Sequence, residues 1–295
     1  MNNTAKWNEF SYSATDGLRL SGRKYGWHHL NAGPTVVCLP GLTRNCADFH
    51  ELAIALSGEG LGNRRVLCLD YRGRGNSEYD KNPENYNPLT EADDVIQGMV
   101  SAGVGEADII GTSRGGIIAM ILAAMRPGML HSVILNDVGP QIDVKGLVRI
   151  KAYMQRSGRP KNMTQAIENI KGYASSQFPK LGDADWRKQA ELIYQEKDGQ
   201  LSVRYDPALI KGLKAINLDA PLPTMWPQFA GLKGIPVLVI RGANSDLLSE
   251  ETLEKMRQEH SGLKVLNVPN QGHAPDLGTI GIPERIAKFL ESVAG

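Results

Sequence analysis

The chain has 295 residues, with 33 Lys plus Arg against 32 Asp plus Glu and a formal net charge of +1. Charge this balanced argues against a nucleic-acid partner, because phosphate backbones are bound through an excess of Lys and Arg. The length allows two modest domains, or one large domain with an insertion, and enough core to fold without staples. The longest apolar runs, such as 116–125, fall far short of the ~18 residues a membrane span needs. The N-terminus, Met1-Asn2-Asn3-Thr4-Ala5-Lys6-Trp7, holds no apolar core of the kind a signal peptide requires. The cysteines, Cys38, Cys46 and Cys68, are odd in number, which argues against a disulfide framework. The expectation is a soluble cytoplasmic protein, monomer or homodimer, acting on a small molecule.

In chain order, the Asp16-Gly17 turn predicts a hairpin of strands 8–14 and 18–25. Residues 35–39 form a continuous apolar run, as in a strand buried on both faces of a parallel sheet. A helical pattern follows over 47–56, stopped by Gly58 and Gly60. The next buried strand, 65–69, leads into Asp70-Tyr71-Arg72-Gly73-Arg74-Gly75, and Thr90 is the expected N-cap of a helix over 91–102. Strand 107–110, helix 117–125 and strand 132–135 continue an alternation that implies right-handed crossovers and a parallel sheet with helices on both faces.

From 140 to 232 the rhythm changes. No strand run stands out, and amphipathic helices are predicted at 144–156, 163–175, 184–195 and 207–216. Strand 236–240, helix 250–260, strand 264–268 and helix 283–293 restore the alternation. The expected organisation is an α/β core of 1–139 and 233–295, interrupted by a helical cap over 140–232.

Strand 107–110 runs directly into Gly111-Thr112-Ser113-Arg114-Gly115-Gly116 and then a helix. The Gly-x-Ser-x-Gly spacing alone is weak evidence, but its place between strand and helix carries chemistry. A serine on so sharp a turn takes strained backbone angles, and small residues two positions to either side avoid clashes. Its hydroxyl then stands beside a helix N-terminus, where backbone N–H groups favour developing negative charge.

With this elbow, the chain resembles a serine hydrolase of the α/β-hydrolase superfamily over essentially its whole length. Leu39-Pro40-Gly41-Leu42 stands where that family places its oxyanion loop, and Arg72-Gly73-Arg74-Gly75-Asn76-Ser77 is similar to its Arg-Gly-x-Gly-x-Ser turn. Gly242-Ala243-Asn244-Ser245-Asp246 and Gly272-His273 follow the last two strands, where the family keeps its acid and base. The resemblance implies an α/β-hydrolase fold, a mostly parallel central sheet flanked by helices with a helical cap, and no cofactor or metal.

A serine hydroxyl needs an imidazole to take its proton. Of His28, His29, His50, His131, His260 and His273, only His273 follows a late strand at the carboxyl edge of the sheet, where open α/β folds bind ligands. The acid that fixes its tautomer is expected to be Asp246. The rival is Asp137, directly after strand 132–135, from which some members of the family supply it. Asp276 is too near His273 in sequence and is expected to bind loop backbone. The resemblance places the oxyanion donors at the backbone N–H groups of Leu42 and Arg114, although Pro40 stands where the family often has His. Arg72 and Ser77 are expected to brace their loop, and Cys38 and Cys68 to act as small buried hydrophobes.

Acyl transfer to water is the chemistry a serine elbow implies: ester, lactone, thioester or activated amide. Carbon–carbon bond hydrolases of the same fold are the runner-up, lacking here their Gly-Asn-Ser elbow and the Trp after the histidine, where Thr112 and Ala274 stand. A cofactor-free lyase or oxidoreductase using His273 as base, and a weakly catalytic receptor-like binder, are the other readings. In the cap, Tyr153 and Trp186 are expected in its own core, with Trp226 and Met225 nearest the pocket. Arg44, Asn45 and Arg114, near the oxyanion loop and elbow, could meet a carboxylate-bearing substrate, with solvated surface as the alternative reading of those side chains.

Overall fold

The computed structural model describes residues 7–30, 33–156, 160–197, 199–218 and 220–294. Residues 1–6, most of the N-terminal stretch read for a signal peptide, lie outside the described residues. The chain opens with β1 (Asn8–Ser13), β2 (Arg19–Tyr25) and β3 (Thr35–Leu39), then α1 (His50–Ser57), β4 (Val66–Asp70) and α2 (Pro88–Ser101). β5 (Ala107–Thr112), α3 (Arg114–Met125) and β6 (Leu130–Asn136) complete the first part of the sheet. The insertion carries α4 (Val144–Arg156), α5 (Met163–Ala174), α6 (Asp183–Ile193), β7 (Tyr194–Lys197), β8 (Gln200–Val203), α7 (Leu209–Ala215) and α8 (Trp226–Ala230). β9 (Val237–Gly242), α9 (Glu250–Glu259), β10 (Lys264–Val268) and α10 (Ile282–Val293) return to the sheet.

Its strand order is β1-β2-β4-β3-β5-β6-β9-β10. The N-terminal hairpin β1–β2 joins β4 antiparallel, and every other neighbouring pair is parallel. Period-two alternation explains why β3, β4 and β5 read as unbroken apolar runs. Val37, Leu39, Leu67, Leu69 and Ile109 point into the core that holds α2 and α3, while Val36, Cys38, Val66, Cys68 and Ile110 point into the one that holds α1 and α10. Each such side chain, fully buried, contributes about 1.5–3 kcal/mol. α3 is apolar on nearly all sides because it is buried, with Ile118 through Ala123 all inside.

Some elements differ from the sequence expectation. The N-cap of α2 is Asn87, whose side chain accepts from Leu89 and Thr90 N–H, with Pro88 at the first helical position. Asn-Pro was therefore the start signal, and Thr90 lies inside the helix. The insertion also contains a hairpin, β7–β8. Its strands carry little apolar alternation, so the Asp198-Gly199 pair was its sequence signature. Finally, the last turn of the insertion packs on the sheet rather than above it: Phe229 and Leu232 share the apolar cluster of α3 and β5. The rest of the insertion has two small clusters, one around Ile170, Trp186 and Ile193 and one around Leu147, Met154 and Leu213. Among the described residues no helix is long and apolar enough to cross a membrane.

Candidate active site

The strand-to-helix turn after β5 sets Ser113 at φ 51°, ψ −109°, with α3 beginning at the next residue. A non-glycine residue there stores on the order of 1–3 kcal/mol of strain, held by its surroundings. Ser113 N–H donates to Asn136 O, and Ser113 O accepts from Gly116 and Ile117 N–H. The flanking glycines are required by contact. A Cβ on Gly115 would lie 2.1 Å from Leu39 O, and one on Gly111 would lie 2.4 Å from the Gly115 carbonyl carbon.

The loop after β10 brings His273 Nε2 to 3.0 Å from Ser113 Oγ. Its other ring nitrogen, Nδ1, meets Asp137 Oδ2 at 2.8 Å. Asp137 follows β6 at φ 57° and is fully buried. Its Oδ1 accepts from Gly242 N–H at 2.8 Å, and its Oδ2 also accepts from Ser245 Oγ at 2.6 Å. The structure thus places Asp137, not Asp246, on the imidazole.

Asp246 is instead turned toward the insertion, where Arg149 of α4 grips it by Nε (2.7 Å) and Nη2 (2.9 Å). Burial works to raise the Asp246 carboxyl. Hydrogen bonds from Arg149 and Gln177, with the charges of Arg149 and His273, more than offset this and leave it below the usual carboxylate range.

Gln177, between α5 and α6, was not singled out in the sequence. It is buried, and its Oε1 accepts from His273 N–H at 3.0 Å while its backbone O accepts from Asn244 Nδ2 at 3.0 Å. The insertion thereby touches the backbone of the histidine itself. No motif marks a glutamine in this role.

Leu42 and Arg114, the expected oxyanion donors, flank the serine. Gly41 lies against Ser113, since a Cβ there would be 3.9 Å from Ser113 Cβ. Arg114 opens α3, where N–H groups have no partner within the helix. A second group missed in the sequence ties these positions together. Arg74 Nε donates to Leu42 O at 2.9 Å, and Arg74 Nη1 pairs with Glu91 Oε1 at 2.8 Å. Glu91 Oε2 accepts from Arg114 Nε at 2.7 Å. Glu91 and the Arg74 side chain are fully buried, and burial pulls the Arg74 guanidinium below its usual pKa.

A cavity of about 740 Å³ opens above Ser113 and His273. The aromatic residues of the insertion follow the sequence expectation only in part. Trp186 is buried in the cluster around Ile170 and Tyr153 packs on the one around Leu147, as expected, but both also border the cavity. Met225 and Trp226 instead pack against the α3 core, Trp226 stacking edge-on to Phe229 with Lys255 over its ring. The reason is the low position of α8, on the flank of the sheet. Arg44 does line the cavity, forked onto Asp48 through Nε (2.6 Å) and Nη2 (2.9 Å). Asn45 is buried and caps the short turn Cys46–Phe49.

The remaining residues behave structurally. Arg72 pairs with Asp94, Asp16 and Asp80, and Ser77 Oγ donates to Asp70 O, so both brace their loop. Asp276 accepts from Gly278 N–H. Cys38, Cys46 and Cys68 are free and buried, and burial pushes the Cys46 and Cys68 thiols up. His131 pairs with Asp108, and His260 contacts Leu232 O and Ile235 O. Among the described residues no cluster of His, Cys, Asp and Glu is arranged to hold a metal ion.

Comparison with known proteins gives a consistent result. The sequence profile of the alpha/beta hydrolase family matches residues 36–279. A 3-hydroxybutyrate-oligomer hydrolase of Cupriavidus necator is 33% identical over 252 residues, covering 83% of this chain and 84% of that protein. A 2-(acetamidomethylene)succinate hydrolase of Mesorhizobium japonicum is 28% identical, covering 82% of each. The crystal structure of an alpha/beta hydrolase from Novosphingobium aromaticivorans superimposes with a TM-score of 0.87 at 34% identity, covering 98% of this chain and 99% of that one.

Proposed function

We propose, for a chain that belongs to the alpha/beta hydrolase family and is a hydrolase, that Ser113, His273 and Asp137 form a catalytic triad cleaving a small carboxylic ester. The observation that carries this reading is the unbroken relay Ser113 Oγ–His273 Nε2 at 3.0 Å and His273 Nδ1–Asp137 Oδ2 at 2.8 Å, at the floor of the cavity.

In the reaction, His273 Nε2 takes the Ser113 proton as Oγ attacks the ester carbonyl. Asp137 keeps the remaining ring proton on Nδ1 and stabilises the imidazolium that forms. The tetrahedral oxyanion is bound by the backbone N–H groups of Leu42 and Arg114. Collapse expels the alcohol, protonated by His273, and leaves an acyl group on Ser113; water activated by the same histidine releases it. The insertion, chiefly α4 to α6, acts as the cap that excludes water and shapes the acyl and alcohol pockets.

An ester rather than another acyl bond is favoured by the 3-hydroxybutyrate-oligomer hydrolase relative, whose name denotes a short oligomer of a hydroxy acid. The test is a panel of 4-nitrophenyl esters and lactones with wild type and Ser113→Ala, run alongside fluorophosphonate labelling. Turnover and labelling in wild type, both lost in Ser113→Ala, are expected. Turnover that survives Ser113→Ala, or a wild-type enzyme that is neither labelled nor active on any ester, overturns the reading.

A further inference from the structure

We propose that Arg44 and Arg149 form a subsite on the cavity wall that binds a free carboxylate carried by the substrate. This rests on the triad reading and extends it from the bond cleaved to the class of molecule that carries it.

The two arginines reach the cavity from different elements. Arg44 belongs to the loop after β3, and Arg149 to α4 of the insertion. Arg44 stands close to the nucleophile. The point where a Gly41 Cβ would lie is 3.4 Å from Arg44 Cγ and 3.9 Å from Ser113 Cβ. Both guanidiniums approach Tyr173 closely enough for their charges to act on its hydroxyl, and the Tyr173 ring lies against that of Tyr153 at 3.6 Å between centroids. Burial, the largest influence, still pushes the Tyr173 phenol up to about 12, so it stays protonated and able to donate at neutral pH.

Each arginine is held in the same way. Arg44 forks onto Asp48 through Nε and Nη2, with Nη2 also reaching Gln189 Oε1 at 3.1 Å. Arg149 forks onto Asp246 through Nε and Nη2. That leaves the Nη1 groups of both without a hydrogen-bond acceptor among the described residues, on side chains that are each 21% exposed and line the cavity. A guanidinium pinned along one edge by a carboxylate is a rigid, pre-ordered donor along the other. An arginine built only for packing would need neither a fork nor an open edge.

The charge balance selects the ligand. Asp48 and Asp246 offset the formal charge of the pair, so the wall is a set of fixed donors and not a strongly positive field. A single carboxylate, with two oxygens for two Nη1 groups, satisfies those donors; a phosphate dianion would bring its second charge against two aspartates. The subsite therefore points to half-esters and oligoesters that end in a free acid, with a neutral ester leaving charged donors unpaired in the cavity.

The experiment compares two matched pairs. Mono(4-nitrophenyl) glutarate against its methyl ester places the carboxylate on the acyl side, and 3-butanoyloxybutyrate against its methyl ester places it on the alcohol side. In at least one pair, wild-type kcat/KM is expected to favour the free acid by about tenfold or more, chiefly through KM. Arg149→Met and Arg44→Met are each expected to cut that acid-to-ester ratio by about tenfold. Arg44→Met leaves Asp48 unpaired, so Arg44→Met/Asp48→Asn is read in parallel as the variant that keeps the fold neutral there. Ratios near one in both pairs, in an enzyme that hydrolyses the methyl esters and is labelled at Ser113, overturn the subsite, as does a preference that persists in every arginine variant. Failure of the triad reading looks different: none of the four esters is turned over and Ser113 is not labelled, which removes the subsite with it.

Discussion

Replacing Asp137 by Asn separates the two aspartates that compete for the role of acid. The outcome can be worked from hydrogen-bond donors alone. In Asp137→Asn the side chain keeps its place, and one of its two positions must become an NH₂. The Oδ1 position faces Gly242 N–H at 2.8 Å, in a fully buried site, so an NH₂ there would set donor against donor. The amide nitrogen is therefore driven to the Oδ2 position, facing His273 Nδ1 at 2.8 Å, while the Ser245 hydroxyl, which already accepts from Leu247 and Leu248 N–H, turns its own proton away. His273 must then present a lone pair at Nδ1 and carry its proton on Nε2, pointing at Ser113 Oγ, where it blocks proton transfer. A wrong-tautomer histidine costs roughly 10⁴-fold in turnover, equivalent to about 5.5 kcal/mol of barrier. Asp246→Asn instead weakens an ion pair whose side chains are 21% and 25% exposed, worth up to about 1 kcal/mol of cap anchorage. Its kcat/KM is expected to stay within about tenfold of wild type. Steady-state kinetics on a 4-nitrophenyl ester, with the rate of fluorophosphonate labelling as a second measure, decides the matter. A larger loss in Asp246→Asn, or an Asp137→Asn enzyme within tenfold of wild type, would refute the assignment.

The Arg74–Glu91–Arg114 network links the two residues whose N–H groups would bind the oxyanion. Glu91→Gln leaves the buried Arg74 guanidinium and the partly exposed one of Arg114 around a neutral amide, and should lower stability by about 3–5 kcal/mol and Tm by roughly 10 °C. In the folded fraction, kcat is expected to fall with little change in KM; unchanged kcat in an enzyme shown by circular dichroism to be folded would uncouple the network from the oxyanion site. The Arg149–Asp246 pair predicts a pH signature. Because the folded-state pKa of Asp246 is lowered, its contribution to stability is complete above the unfolded value of about 3.9 and disappears as pH falls through the lower folded value. The Tm gap between wild type and Arg149→Met should thus be flat above about pH 5 and close below about pH 4; a gap that widens on acidification would contradict the sign.

What was legible in the sequence follows from how local each signal is. Ser113 lay on a strand, a turn and a helix within a dozen residues, and its two glycines were needed by contacts inside that same turn and with the neighbouring strand. His273 stood out because a histidine after a late parallel strand sits at the ligand-binding edge of such a sheet. Which aspartate meets the imidazole was not legible. Asp137 and Asp246 both follow parallel strands, and nothing local tells them apart. The choice is made 97 residues away, where Arg149 of α4 captures Asp246. Gln177 and Glu91 carry no sequence signature because each works through partners on other elements, and Met225 and Trp226 were misplaced because the orientation of α8 depends on packing against α3. Motifs record chemistry built within one turn of chain; the walls of the cavity are built by packing between distant segments.

The position of the acid has a structural consequence. With Asp137 satisfying the imidazole from β6, the loop after β9 is released from that task and becomes the seat of the insertion. Asp246 grips Arg149 by its carboxylate, its carbonyl accepts from Gly146 N–H at 2.9 Å, and Leu247 O accepts from Asp143 N–H at 2.9 Å. The fit is close, since a Cβ on Gly146 would lie 2.7 Å from Asp246 O. On the far side, Gln177 takes the His273 N–H and shares Asn244 of the same loop. The insertion is thus fastened to the loop that borders the acid and to the backbone of the base. The segment joining α5 to α6 and the backbone of His273 are tied through Gln177, so the position of the insertion and that of the histidine share one set of hydrogen bonds.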